Sequence, residues 1–179
     1  MKKVSLFLAM AVLLLSGIAL YVYSKEVSEQ SCPFKEAMQL ANDGKCDEAI
    51  TLIKQTIKEK RDAESKGAHL NLGLVYYKAK QYDNALDEFV KTVEMNKKSP
   101  MAYYFMGLIY EAKAVEENDL KTKKDLQNSA LKAWENYLSY SNGKRPESHR
   151  NIGITVEESH KRAKQHIATL KEELHHEKN

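Results

Sequence analysis

Breakers are scarce in this chain, which has 3 prolines and 7 glycines in 179 residues. An all-β fold needs a turn about every 8–12 residues, and Ala, Leu, Lys and Glu are abundant instead, so a nearly all-helical chain is predicted. Charge of one sign is lacking too. Lys and Arg total 28 against 25 for Asp and Glu, giving +3, of which Lys2 and Lys3 supply two. With Lys and Glu interleaved and no basic face, a nucleic-acid partner is not expected. Reactive patterns are missing: there is no GxSxG, HExxH, CxxC or glycine-rich phosphate loop. Glu116 with Glu117 and Glu172 with Glu173 are sequence neighbours, which point apart on a helix. The expectation is a protein that is not an enzyme and carries no cofactor.

One long apolar run is present. Val4 to Tyr23 are twenty uncharged, mostly apolar residues behind Lys2 and Lys3. At 1.5 Å per residue they make about 30 Å, the thickness of a bilayer's hydrocarbon core. Tyr21 and Tyr23 suit the membrane interface, and the run lacks the polar face of a soluble amphipathic helix. Two fates are open for residues 1–24: a single-pass signal anchor in the inner (plasma) membrane, or a signal peptide removed before Lys25. Lys2 and Lys3 orient the segment so that everything beyond residue 24 lies on the periplasmic or extracellular side; after cleavage the product is periplasmic or secreted. No cysteine closes the run, so a lipoprotein anchor is not expected.

The body of the chain repeats itself. "LNLGLVYYKAK" and "YFMGLIYEAKA" align with Gly73 and Gly107 34 residues apart, bringing Leu72 with Met106, Leu74 with Leu108 and Tyr76 with Tyr110 into register. A period of that length identifies a helix-turn-helix unit. Upstream, "GKCDEA" aligns with "KQYDNA", so Cys46 takes the place of Tyr82, Ile53 that of Phe89, and Ala37 that of the glycine. Downstream, Ala130 and Trp134 repeat Ala85 and Phe89, but 11 residues later than the period requires. The inserted residues, "EENDLKTKKDLQ", are charged helix formers, so longer paired helices are expected there rather than a loop. In "TVEESHKRAKQHIATLKEELHH", Thr155 with Glu158 reads as a capping box, and Ala163, Ile167, Leu170 and Leu174 form one apolar stripe.

Residues 66–99 resemble the tetratricopeptide repeat (TPR) family through Leu72, Gly73, Tyr76, Tyr82, Ala85 and Phe89, departing with His69 where a large aromatic is usual and with Lys97 where proline is common. The fold class expected is all-α: a TPR-like α-solenoid of about three helix-turn-helix repeats and a C-terminal capping helix, preceded by one N-terminal hydrophobic helix. Its divisions are a leader at 1–24, a short linker at 25–31, a divergent first repeat at 32–63, a second at 66–99, an extended third at 100–143 and a capping helix at 154–176. Gly73 and Ala85 are small, on this reading, because paired helices cross closely there and the aromatic side chains fill the space beside them.

Few residues are left for chemistry. His160 and His166 are six apart and His175 and His176 lie near a helix end, so surface histidines are expected and no metal site. Cys32 and Cys46 flank the first helix, about 15 Å apart along its axis, whereas a disulfide needs Cα atoms within about 7 Å. Only a distorted first helix would join them; the other readings are a structural Cys46 and an intermolecular bond through Cys32.

The resemblance implies a partner protein or peptide segment held on the concave face built by the first helix of each repeat. Alignment selects Phe34 and Met38 from the first repeat, Leu70, Asn71, Leu74, Tyr77 and Lys78 from the second, and Met101, Tyr104 and Leu108 from the third. Leu70 and Leu74 stand where family members that grip a C-terminal carboxylate carry Lys or Arg, so an acidic chaperone tail is not the expected ligand. Two occupants remain for the apolar lining: the chain's own C-terminal helix or extended third repeat, and a partner segment anchored on Tyr77 and Tyr104. A membrane-tethered scaffold follows, with membrane contact through residues 4–23. The second reading is a homo-oligomer built by end-to-end stacking, and the third is a heme or metal carrier using the histidines.

Overall fold

A computed structural model describes residues 33–59, 65–141 and 155–176. The apolar run at 4–23, Cys32 and nearly all of the segment joining the third repeat to the last helix lie outside them. Among the described residues no helix is long and apolar enough to cross a membrane. The described residues form helices α1 (Pro33–Asn42), α2 (Cys46–Glu59), α3 (Ser65–Lys78), α4 (Tyr82–Met95), α5 (Pro100–Glu116), α6 (Leu120–Tyr140) and α7 (Val156–His176). The closest packing joins α1 to α2, α3 to α4 and α5 to α6 as antiparallel hairpins. Each hairpin's second helix also packs on the next first helix, and α1, α3 and α5 touch in succession. That is the contact pattern of a solenoid, in which each unit buries its apolar face only against its neighbours.

Glycine notches set the helix spacing within the hairpins. A Cβ on Gly73 would lie 2.7 Å from Phe89 Cε1, and one on Gly107 2.6 Å from Trp134 Cε2. Phe89 and Trp134 are both fully buried, each worth about 2–3 kcal/mol of hydrophobic transfer. The first hairpin solves the same crossing with Ala37 and Ile53, both at 0% exposure: a methyl on one helix is matched by a smaller knob on the other. Ala49, Ala85 and Ala130, one turn before each knob, are likewise at 0%. The knob in the third hairpin is therefore Trp134 despite the insertion, because the notch and the Ala-x-x-x-aromatic spacing are local to each helix.

Turns repeat as faithfully as knobs. In the first, the Lys45 N–H donates to Leu40 O at 2.8 Å and the Gly44 N–H to Ala41 O at 3.3 Å; in the second, Gln81 donates to Tyr76 O at 2.9 Å and Lys80 to Tyr77 O at 3.0 Å. These six-to-one closures need a left-handed residue after the helix. Gly44 supplies it at φ 81°, while Lys80 occupies it at φ 57°, where a Cβ is strained.

The third hairpin departs from this plan. α5 runs 17 residues and α6 21, against 14 for α3 and α4, so the insertion lengthens both helices. Its turn carries no left-handed residue; Asp119 caps α6, accepting from the Thr122 N–H and hydroxyl at 2.8 Å each. These bonds hold the Asp119 carboxyl below the usual carboxylate range. α7 then packs along α6 through Ala163, Leu170 and Leu174. Thr155 caps α7 through the Glu158 N–H at 3.1 Å, but the Glu158 carboxylate turns to Arg162 at 2.6 Å, so only half of the capping box forms.

Candidate partner-binding face

Each hairpin's first helix carries residues of the expected face, and successive first helices touch. Phe34 and Met38 of α1, Leu70, Asn71 and Tyr77 of α3, and Leu108 of α5 are half-buried, and Lys78 is exposed. Leu74 (7%), Met101 (1%) and Tyr104 (3%) are buried. The ten residues taken from the sequence thus divide into a half-open set, largely in the first two hairpins, and a covered set that includes both α5 residues nearest its start.

Tyr104 is covered by the chain itself. Its ring meets Trp134 at 5.2 Å, Tyr137 at 5.3 Å and Phe105 at 5.5 Å, each edge to face. Arg162 of α7 sits against its hydroxyl; burial raises the Tyr104 pKa and the guanidinium partly offsets the rise. Of the occupants expected for the apolar lining, the chain's own third repeat covers Tyr104, with Arg162 of the C-terminal helix at its hydroxyl.

Tyr77 stays at the open edge. Its ring packs edge to face on Phe105 at 4.9 Å and lies 6.0 Å from Tyr82, and burial, then the neighbouring Tyr82 and Tyr104, raise its pKa. A tyrosine braced on two rings with one edge half exposed is a rigid amphipathic contact, of the kind enriched at binding hot spots. Asn71 turns its Nδ2 to Gly67 O at 2.8 Å within its own helix. One amide N–H is therefore engaged, which leaves the second N–H and the oxygen to meet a peptide backbone.

Two histidines correct a sequence expectation, whereas His175 and His176 are exposed as expected. His160 and His166 lie three residues before and after buried Ala163, so each sits about 60° to one side of the buried stripe instead of facing solvent. His160 Nε2 pairs with Ser141 Oγ at 2.6 Å. His166 stacks on Trp134 at 4.7 Å, and its Nδ1 lies 2.7 Å from Glu111 Oε2. The other oxygen of Glu111 accepts from Trp134 Nε1 at 2.8 Å. Reading the two histidines against Ala163, rather than against each other, would have found these roles. His69, where an aromatic was expected, is met by Glu88, 8% exposed, at 2.5 Å, and Glu88 also takes Lys91 at 2.7 Å. No group of three or more His, Cys, Asp or Glu side chains among the described residues is arranged to hold a metal ion. Cys46 is half-buried at the start of α2; a bond to Cys32 lies outside the described residues.

No family model matches the chain. Over 105 residues, 56% of its length, it is 30% identical to Photosystem I assembly protein Ycf3 of Prochlorococcus marinus (strain SARG), covering 61% of that protein. It is 27% identical over 96 residues, 52% of the chain and 56% of the relative, to the protein of the same name from Prochlorococcus marinus (strain MIT 9211). The chain spans less than two thirds of the length of these curated relatives. Among solved structures it is similar to "MamA 41-end from Desulfovibrio magneticus RS-1", at 21% identity and TM-score 0.44, with 82% of this chain and 76% of that chain covered. Helical hairpins, glycine notches against buried aromatics and a 34-residue interval make the described chain an all-α protein of repeated helical hairpins, similar to the TPR type.

Proposed function

We propose that the chain is a protein-interaction scaffold that holds a partner segment on the first-helix face of its first two repeats, and that residues 4–23 tether it to the inner (plasma) membrane with this face on the outer side. One observation carries the reading: Phe34, Met38, Leu70 and Tyr77 remain half-exposed on one face while α7 packs on the third hairpin. Apolar side chains aligned along successive helices suit an amphipathic helix or extended segment, with Tyr77 and Leu70 as anchors and Lys78 beside them for an acidic flank. The tether raises the partner's concentration at the membrane without any new contact. The relatives named as assembly proteins support a holding role over a catalytic one.

The test compares two surfaces of the same hairpin. Leu70→Asp with Tyr77→Ala is expected to abolish recovery of specific partners from crosslinked native membranes while helical content is kept, and Asp87→Lys on α4 is expected to leave recovery unchanged. Equal recovery by both variants would reject the face.

A further inference from the structure

The lengthened third hairpin creates a cleft that its repeat role does not require. Between the ends of α5 and α6 and the overlying α7 lies a space of about 690 Å³. Ala114, Val115 and Leu170 give it apolar walls, and Glu111 and Glu173 bring carboxylates to it. Gln127, on the same wall, is 4% exposed; its Nε2 donates to Glu173 Oε2 at 2.9 Å. Its Oε1 is the one buried side-chain polar atom among the described residues that has no hydrogen-bond partner. Buried acceptors are ordinarily satisfied, so this atom marks a place where a donor is missing.

The surrounding charge says what kind of donor. Both Glu111 oxygens are engaged, by Trp134 and His166, whereas Glu173 has an amide contact and, among the described residues, no ion pair. Lys123, one turn before Gln127, also lines the cleft but forms no ion pair among the described residues. An anion would face two carboxylates. A neutral donor would serve Gln127 alone, whereas a cation also meets the Glu173 carboxylate held beside it. We propose that the cleft binds an aliphatic cation, a guanidinium or alkylammonium group donating to Gln127 Oε1 and the Glu173 carboxylate with its stem along Ala114, Val115 and Leu170. The planar fork of a guanidinium suits two acceptors held side by side by the Gln127–Glu173 bond. The cation comes from a free small molecule or from an arginine or lysine of a polypeptide.

The test is calorimetric titration of the full chain with agmatine, a guanidinium on a four-carbon stem, and with an acetylated, amidated Gly-Arg-Gly peptide. Saturable one-site binding of either is expected. It should weaken at least tenfold in Glu173→Gln, be lost in Gln127→Leu, and strengthen in Lys123→Ala, which removes the chain's own competing cation. Tighter binding of the peptide assigns a polypeptide source, and tighter binding of agmatine a free ligand. No saturable heat with either probe, or equal affinity in wild type and Glu173→Gln, overturns the proposal. Glu173 is exposed, so that variant remains informative if Gln127→Leu does not fold.

Discussion

Alanine at the helical glycines should act with opposite signs at different positions. In a helix interior, Gly→Ala gains about 0.5–1 kcal/mol from backbone entropy. At Gly67 nothing lies within 4 Å of the added Cβ, so that gain is all that remains. At Gly107 the methyl would sit 2.6 Å from Trp134 Cε2 and 2.8 Å from Cδ2, and the ring must retreat by about an ångström to reach ordinary contact. The ring has little room to do so. It is stacked on His166 at 4.7 Å, crossed by Tyr104 at 5.2 Å and tied through Nε1 to Glu111 at 2.8 Å. Overpacking of that kind costs about 1–3 kcal/mol, and the Trp134 ring's three fixed contacts place Gly107→Ala toward the upper end, a net loss of up to about 2.5 kcal/mol, with Gly73→Ala against Phe89 similar. For a chain of this size each kcal/mol moves the melting midpoint by about 2–4 °C. Urea and thermal unfolding followed by far-UV circular dichroism would order the variants as Gly67→Ala above wild type, with Gly73→Ala and Gly107→Ala below it. Gly107→Ala at or above wild type would refute the notch argument. So would failure of the pair Gly73→Ala and Phe89→Ile, which copies the Ala37 and Ile53 arrangement of the first hairpin, to recover stability relative to the sum of its parts.

Three further outcomes follow from individual contacts. Lys80→Gly should stabilise by about 0.5–1 kcal/mol in urea unfolding by removing the left-handed strain, and Gly44→Ala should destabilise by about the same amount. Glu88→Ala strands the half-buried His69 ring nitrogen and should cost about 1–3 kcal/mol, whereas His69→Phe with Glu88→Leu should recover most of it; an additive result would show that the pair is not coupled. Burial raises the pKa of Tyr77, Tyr104 and Tyr137 in the folded chain above the value near 10 of an unfolded one. Above that pH the folded state binds more protons than the unfolded state. Stability is therefore complete below about pH 10 and falls as pH rises through the folded values. Tyrosinate absorbance at 295 nm should rise in two stages, the later one coinciding with loss of helix; a single stage with helicity intact would contradict this.

Much of the architecture was legible because its determinants are local. Gly73, Ala85 and Phe89 stand at fixed spacings on two adjacent helices, and Ala130 and Trp134 keep theirs across an insertion, so the hairpins follow from short patterns. Lys80 was legible only by comparison: alone it carries no turn signal, but it aligns with Gly44, and the backbone requires the same left-handed residue in both turns. The docking of α7 was not legible. Its stripe of Ala163, Leu170 and Leu174 shows that it is amphipathic, yet which helix it covers depends on polar pairs such as Tyr137 with Ser159 and Gln127 with Glu173, which leave no periodic trace. For that reason Tyr104 reads as an anchor in sequence and is a core residue under Arg162 in the fold. Gln127 reads as one more helix former in a charged stretch; only packing turns its amide into a buried, half-satisfied group.

The most direct test of the scaffold account places a photoreactive side chain at one position at a time in the full chain, expressed in its native membrane. Illumination is expected to give a discrete partner adduct from position 70 on the half-exposed α3 face, and none from position 104 beneath α7 or position 87 on the exposed side of α4. Equal adducts from positions 70 and 87, or an adduct from position 104 alone, would contradict it.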